Sequence, residues 1–177
     1  EISCTCWSKL TGLNYYWRPE ELQARREEQD VAIWAMVKLV FKLLDLGCHF
    51  LLENPWGTPF WQHPGPLKLL ADERIHLRKG HMCPHNLRGK EGGLMEKETG
   101  WMSDLPVLLD AVALQCSGDR PHEYCLSGNS KRAQVYTPEL AASVIHGLKV
   151  ALHEAGDERF AQAPSPEDTR FSWTCDA

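Results

Sequence analysis

HFLLENPWGTPFW, residues 49–61, decides how the chain is read. The apolar run His49-Phe50-Leu51-Leu52 ends in a carboxylate, an amide and a proline, and an aromatic-rich loop follows. Asn and Pro both punctuate structure, so the run predicts a strand that stops at Glu53. Open α/β folds place their chemistry outside the carboxyl ends of parallel strands, and Glu53 falls on such a rim.

Upstream of this strand, Pro19 followed by Glu20-Glu21 makes a good helix start, because Pro suits the first turn and acids complement the positive helix end. Ile33, Met36, Val37, Val40 and Leu44 recur at helical spacing, while Asp30, Lys38, Lys42 and Asp45 take other faces. Gly47 supplies the stop. Helix, glycine and apolar strand form half of a β-α-β unit, with a crossover long enough for a parallel sheet. Downstream, the pattern predicts a short helix over Leu67–Glu73, a short strand over Arg74–Leu77 and a helix over Leu105–Leu114. Residues 78–103 read as irregular, with one strand near Leu94. Thr137 caps a last helix that has Pro138 at its first position and runs to about Ala155. The expected fold is α/β, with at least two parallel strands and helices between them. Residues 1–155 form the domain, and 156–177, with Ala-Pro-Ser-Pro, form a flexible tail.

The composition bounds the function. A chain of 177 residues is one domain or a large part of one, given roughly 100–200 residues per domain. Apolar content of 43% and charged content of 24% are those of a folded, water-soluble chain. A net charge of −5 excludes a general polyanion-binding surface, so a nucleic-acid contact needs a local basic patch. Arg74, Arg78, Lys79, Arg88, Lys90 and Lys97 offer one. No apolar run approaches the ~20 residues of a membrane span, and no secretory leader opens the sequence. Seven cysteines, an odd count in a chain of ordinary size, point to reduced thiols and an intracellular setting. The chain opens at Glu1 within what reads as structure, as a piece of something longer would.

Four segments carry a resemblance. They are Ile2-Ser3-Cys4-Thr5 with Trp7–Asn14 after it, Glu53-Asn54-Pro55-Trp56-Gly57 with Trp61, Lys97–Ser103, and Val135–Leu140 opening the last helix. In order and spacing the chain resembles the cytosine carbon-5 DNA methyltransferase-like domains of phages and retroelement-type polyproteins. The resemblance implies a partial Rossmann-like, methyltransferase-like parallel sheet with flanking helices, and DNA as partner. It maps the nucleophilic thiolate to Cys4 and the carboxylate that holds a proton at the ring nitrogen to Glu53. Asn54 and Thr5 would hold the loops, with Pro55, Trp56, Lys97 and Thr99 on the substrate side. Trp56, Phe60 and Trp61 could stack on a flipped base. Ile2 and Ser3 replace the two prolines of the nucleophile loop, and Glu98 replaces the proline of the Lys-Pro-Thr element. The Gly-rich loop that binds S-adenosylmethionine would lie upstream of Glu1, in the remainder of a longer polyprotein. On this reading residues 1–155 are a catalytic half, inactive alone.

A second cluster stands apart from the first. His81-x-Cys83-x-His85 is followed by Cys116 and then by His122-x-x-Cys125. Thiolate and imidazole are the ligands zinc prefers, and four of them close a structural site. The expected quartet is Cys83, Cys116, His122 and Cys125, with His81 or His85 as substitutes. It supports a different function: a zinc-stapled module that binds nucleic acid or protein without chemistry.

Overall fold

The computed structural model describes residues 6–8, 11–126, 128–154 and 156. After a single helical turn, α1 (Thr11–Asn14), comes α2 (Pro19–Asp45), whose 27 residues span about 40 Å at ~1.5 Å per residue. It starts on Pro19 with Glu20 and Glu21 in its first turn, and it buries Ile33, Val37 and Val40 along one stripe. It ends on Gly47, at φ 68°: the Gly47 N–H donates to the Leu44 carbonyl and the Cys48 N–H to that of Leu43. These are the paired bonds of a Schellman stop, which needs the left-handed glycine.

The remaining elements are shorter. They are β1 (Leu51–Pro55), a 3₁₀ turn (Pro59–Gln62), α3 (Pro64–Leu70), β2 (His76–His81) and a second 3₁₀ turn (Cys83–His85). Then come β3 (Met95–Glu96), β4 (Glu98–Ser103), α4 (Pro106–Val112), β5 (Glu123–Tyr124), α5 (Asn129–Arg132) and α6 (Pro138–Glu154). Thr137 caps α6 as expected, its hydroxyl accepting from the Leu140 N–H at 3.1 Å.

The chain is mixed α/β, but the parallel sheet is not what forms. The three-stranded sheet runs β1-β4-β2, and β4 pairs antiparallel with both neighbours, setting Glu53 and Arg78 on either side of Trp101. The segment β1-α3-β2 does return the chain in its original direction, as a strand-helix-strand unit should. The gap it leaves is then filled by β4 running the opposite way. A parallel neighbour was expected for the strand that ends the Gly47 crossover, and β1 pairs antiparallel with β4 instead. The sheet is therefore antiparallel rather than Rossmann-like in its pairing, and among the described residues the parallel ladder is confined to the two-residue pair of β3 with β5.

Alternation along β4 divides the interior in two. Met102 faces a core with Ile33, Val37 and Val40 of α2, and with Phe60, Trp61 and Leu69. Trp101 faces a second core with Leu108, Leu109 and Val112 of α4 and Leu140 of α6. The sheet is thus the middle of three layers. Phe60 and Trp61 are 1% and 7% exposed, so these rings are core and present no stacking surface for a base. Trp61 lies on Gly100 of β4, where an added Cβ would sit 2.6 Å from the indole ring, and its N–H donates to the Pro55 carbonyl. No helix among the described residues is long and apolar enough to cross a membrane.

Candidate metal centre

The carboxylate that opened the reading, Glu53, stands in the middle of β1 and is ion-paired. Glu53 Oε1 accepts from Lys97 Nζ at 3.2 Å, and the Tyr136 hydroxyl lies 3.4 Å from Oε2. Lys97 also donates to the Ala133 carbonyl at 3.0 Å. Pro55 lies opposite Thr99 in the sheet, and the Trp56 N–H donates to the Glu98 carbonyl. Glu53 thus meets Lys97, 44 residues along the chain, and Tyr136, 83 residues along, all three in segments that the resemblance names. Asn54 is buried, with Oδ1 accepting from Thr58 Oγ1 at 3.0 Å, so it holds its own turn. Thr99 is fully buried, its hydroxyl without a partner among the described residues. Both oxygens of Glu53 face groups of the chain itself. Cys4 and Thr5 lie outside the described residues, as does the tail beyond Gly156.

Among the described residues, the adjacent glycines offer no cradle for S-adenosylmethionine. These glycines, Gly92-Gly93, belong to a tight turn closed by the Gly89 N–H on the Gly93 carbonyl. The Glu123 carboxylate grips that turn from outside through the N–H groups of Glu91 and Gly93. A turn already filled by an anion is not a cradle for an anionic cofactor.

The cysteine–histidine cluster, in contrast, assembles. Gly80 of β2 has no side chain, and the backbone of Ala113 uses that space: a Cβ on Gly80 would come within 2.6 Å of the Ala113 Cα. The chain leaving α4 thereby lies along the open edge of β2, with the His81 N–H donating to the Leu114 carbonyl at 2.8 Å and Gln115 Nε2 to the Lys79 carbonyl at 2.6 Å. This pairing delivers Cys116 to the 3₁₀ turn that carries Cys83. Gly118, at φ 72°, then turns the loop back, with its N–H 3.4 Å from Cys116 Sγ, and His122 Nε2 comes to 3.3 Å from the same sulfur.

The donor atoms of Cys83, Cys116 and His122 all lie within 4.8 Å of one another, so the group could hold a metal ion. Burial, reinforced by the hydrogen bond with Cys116, pushes the Cys83 thiol up to about 12. A cation beside the Cys83 sulfur would favour its thiolate and offset that burial. The backbone N–H on Cys116 is the kind of donor that supports a bound thiolate.

The other candidate ligands are elsewhere. Cys125 packs against the second core and is not in the group. His85 is buried, with Nε2 on the Val112 carbonyl at 2.9 Å and Nδ1 near Ser143, and it tethers α4 and α6. His81 Nδ1 faces the Cys116 N–H at 3.4 Å, which orients the ligand next door. The spacing of residues gave the donor types but not which cysteine would turn inward.

The basic patch is largely neutralised. Arg74 pairs with Asp72, Arg78 with Asp110, Lys79 with Glu98, Lys90 with Glu91 and Lys97 with Glu53. Arg88 instead spends Nε on Asn86 Oδ1 and Nη1 on the Gly92 carbonyl. It lines a cleft of about 350 Å³ together with Cys83, Asn86, Cys116, Asp119, Arg120 and His122. No signal in the sequence marked Asp119 or Arg120 as neighbours of the cluster. No protein-family model, no curated protein and no solved structure matches the chain.

Proposed function

We propose that the chain is a zinc-stapled α/β module that works by binding rather than by catalysis. The observation that carries this reading is the convergence of Cys83, Cys116 and His122 from the turn after β2 and the loop after α4. Zinc suits two thiolates and an imidazole better than the hard cations do. It would tie the loop of residues 113–122, which has little apolar content, to the edge of the sheet. Carboxylate pairing of most of the local basic side chains favours a protein partner over DNA, since phosphate contacts need cations that are not already spent. The lobe around α5 also exposes Tyr124, Leu126, Val135 and Tyr136, chemistry that suits a protein surface.

Metal analysis of the purified chain tests the staple. One zinc per chain is expected, lost on chelation together with a fall in melting temperature, and absent from Cys83→Ser and Cys116→Ser. Preparations that take up no zinc, or whose melting temperature is unchanged by chelation, would remove the reading. Anisotropy with labelled duplex DNA at low salt tests the partner class, and tight binding there would reverse the preference for protein.

A second reading retains the methyltransferase-like catalytic half, because Glu53, Lys97 and Tyr136 meet beside β1. It requires S-adenosylmethionine held by an upstream segment, with Cys4 as nucleophile. Transfer of labelled methyl groups to DNA by a longer chain, abolished by Cys4→Ser, is its test. A longer chain that binds the methyl donor and transfers nothing would end it.

A further inference from the structure

The metal centre has a direction as well as a composition. Cys83, Cys116 and His122 all line the same cleft, whereas the cysteine that would complete a four-residue cage, Cys125, packs against the second core and does not line it. A tetrahedral ion held by the three donors therefore turns its remaining position toward the cleft. Three protein ligands leave the fourth position of zinc for water or another outside ligand, where a closed structural site has four protein ligands.

The cleft wall states what would fill that position. A zinc ion with two thiolates and a neutral imidazole carries no net charge, so the surrounding side chains set the local field. Arg88 and Arg120 both line the cleft. Arg88 is held in place by Asn86 Oδ1 at 2.9 Å and the Gly92 carbonyl at 2.7 Å. Asn86 is itself fixed, being left-handed at φ 59° with its amide on Glu139 Oε1 at 2.7 Å. Two of the guanidinium's five N–H donors are used in this bracing, and a planar fork suits carboxylate or phosphate oxygens. Asp119 is the opposing charge in the cleft, and its Oδ1 accepts from Ser117 Oγ at 2.6 Å.

We infer that the centre is an anion-binding site: the ion, held by Cys83, Cys116 and His122, takes an anionic oxygen group as its fourth ligand, and Arg88 and Arg120 grip that group from the cleft wall. The inference rests on the zinc-staple reading and deepens it, giving the module a defined point of attachment for a carboxylate or phosphate on its partner. Cys125 takes no part.

Cobalt substitution of the full chain separates the two claims. Thiolate-to-cobalt absorption reports that the ion is bound, and the visible ligand-field bands report what occupies the fourth position. The bands are expected to shift saturably on titration with azide. Acetate and inorganic phosphate are then titrated separately, and the tighter of the two identifies the oxygen source. Arg88→Gln is expected to weaken that binding roughly tenfold, the usual worth of one charge-assisted hydrogen bond, with cobalt affinity unchanged. Cobalt bound normally but with bands indifferent to all three anions overturns this inference alone. A spectrum changed by Cys125→Ser or Asp119→Asn would then name the residue that closes the site. Anion binding untouched by Arg88→Gln overturns the role of the arginine. Absence of the thiolate absorption overturns the staple and this site together.

Discussion

Lys97→Met tests whether the Glu53 side of β1 is held by electrostatics. The Lys97 and Glu53 side chains are only 13% and 17% exposed, so the pair is well shielded without being sealed. Removing one partner of a fully buried pair costs about 3–5 kcal/mol, because the surviving charge is left unpaired. Here the residual exposure and the Tyr136 hydroxyl soften that penalty, while the Ala133 carbonyl loses its donor as well. Together these give about 3 kcal/mol for Lys97→Met, roughly two decades in the folding constant. Glu53→Gln keeps an oxygen for Lys97 and costs about half as much. In the double variant neither charge is stranded, so its cost falls short of the sum by about 2 kcal/mol. Urea unfolding followed by tryptophan fluorescence measures all three, with an unchanged m-value as the check on two-state behaviour. Additivity within about 0.5 kcal/mol would show that the two charges do not depend on each other, and the account of the Glu53 side of β1 would fail.

Three further outcomes follow from single contacts. Gly100→Ala places a methyl group 2.6 Å from the Trp61 ring and is expected to cost about 1–3 kcal/mol in urea unfolding, with altered tryptophan emission; a neutral result would mean the indole does not rest on β4. Thr137→Ala removes both the cap on the Leu140 N–H and the bond to the His85 carbonyl, so about 1–2 kcal/mol is expected, and Thr137→Ser should recover most of it. In the metal-free protein the native Cys83 thiol, raised from 9.0 to about 12 by burial, keeps its proton where the unfolded chain has lost it. The unfolded state then binds fewer protons, so stability falls as pH rises from about 9 toward 12. Urea midpoints at about pH 8 and about pH 10 in chelator should show that fall, and Cys83→Ser should flatten it.

The parts of the structure that were legible are those whose signal is local. The stripe of Ile33, Val37 and Val40 and the Gly47 stop are properties of one helix, and Thr137-Pro138 is a property of one cap. The strand at Leu51 was legible for the same reason, but its end was not: it was expected to stop at Glu53, and pairing with β4 carries it on through Asn54 and Pro55. Pairing direction was not legible either, because an apolar run has the same pattern whether its neighbour runs with it or against it. The central strand hid for a related reason. After Glu98, β4 reads Thr-Gly-Trp-Met-Ser and is buried on both faces, so no polar residues alternate with apolar ones to mark it. Its uncharged run was the available sign, and Gly100 masked it by reading as a break when it is a seat for Trp61.

The metal cluster divides along the same line. Cysteine and histidine announce ligand chemistry wherever they stand, so Cys83, Cys116 and His122 could be named as candidates. Which of them converge depends on a residue with no ligand chemistry at all. Gly80 admits the Ala113 backbone to the edge of β2, and the hydrogen bonds of Leu114 and Gln115 that follow fix where Cys116 emerges. Cys125 lies past the turn at Gly118 and the β5 strand, where the chain has left that edge, and so it packs inward against the second core. A side chain at Gly80 would displace the whole edge segment and carry Cys116 away from Cys83, while leaving every ligand in the sequence intact. Here the binding chemistry is written in the cysteines and histidine, and its assembly is written in a glycine.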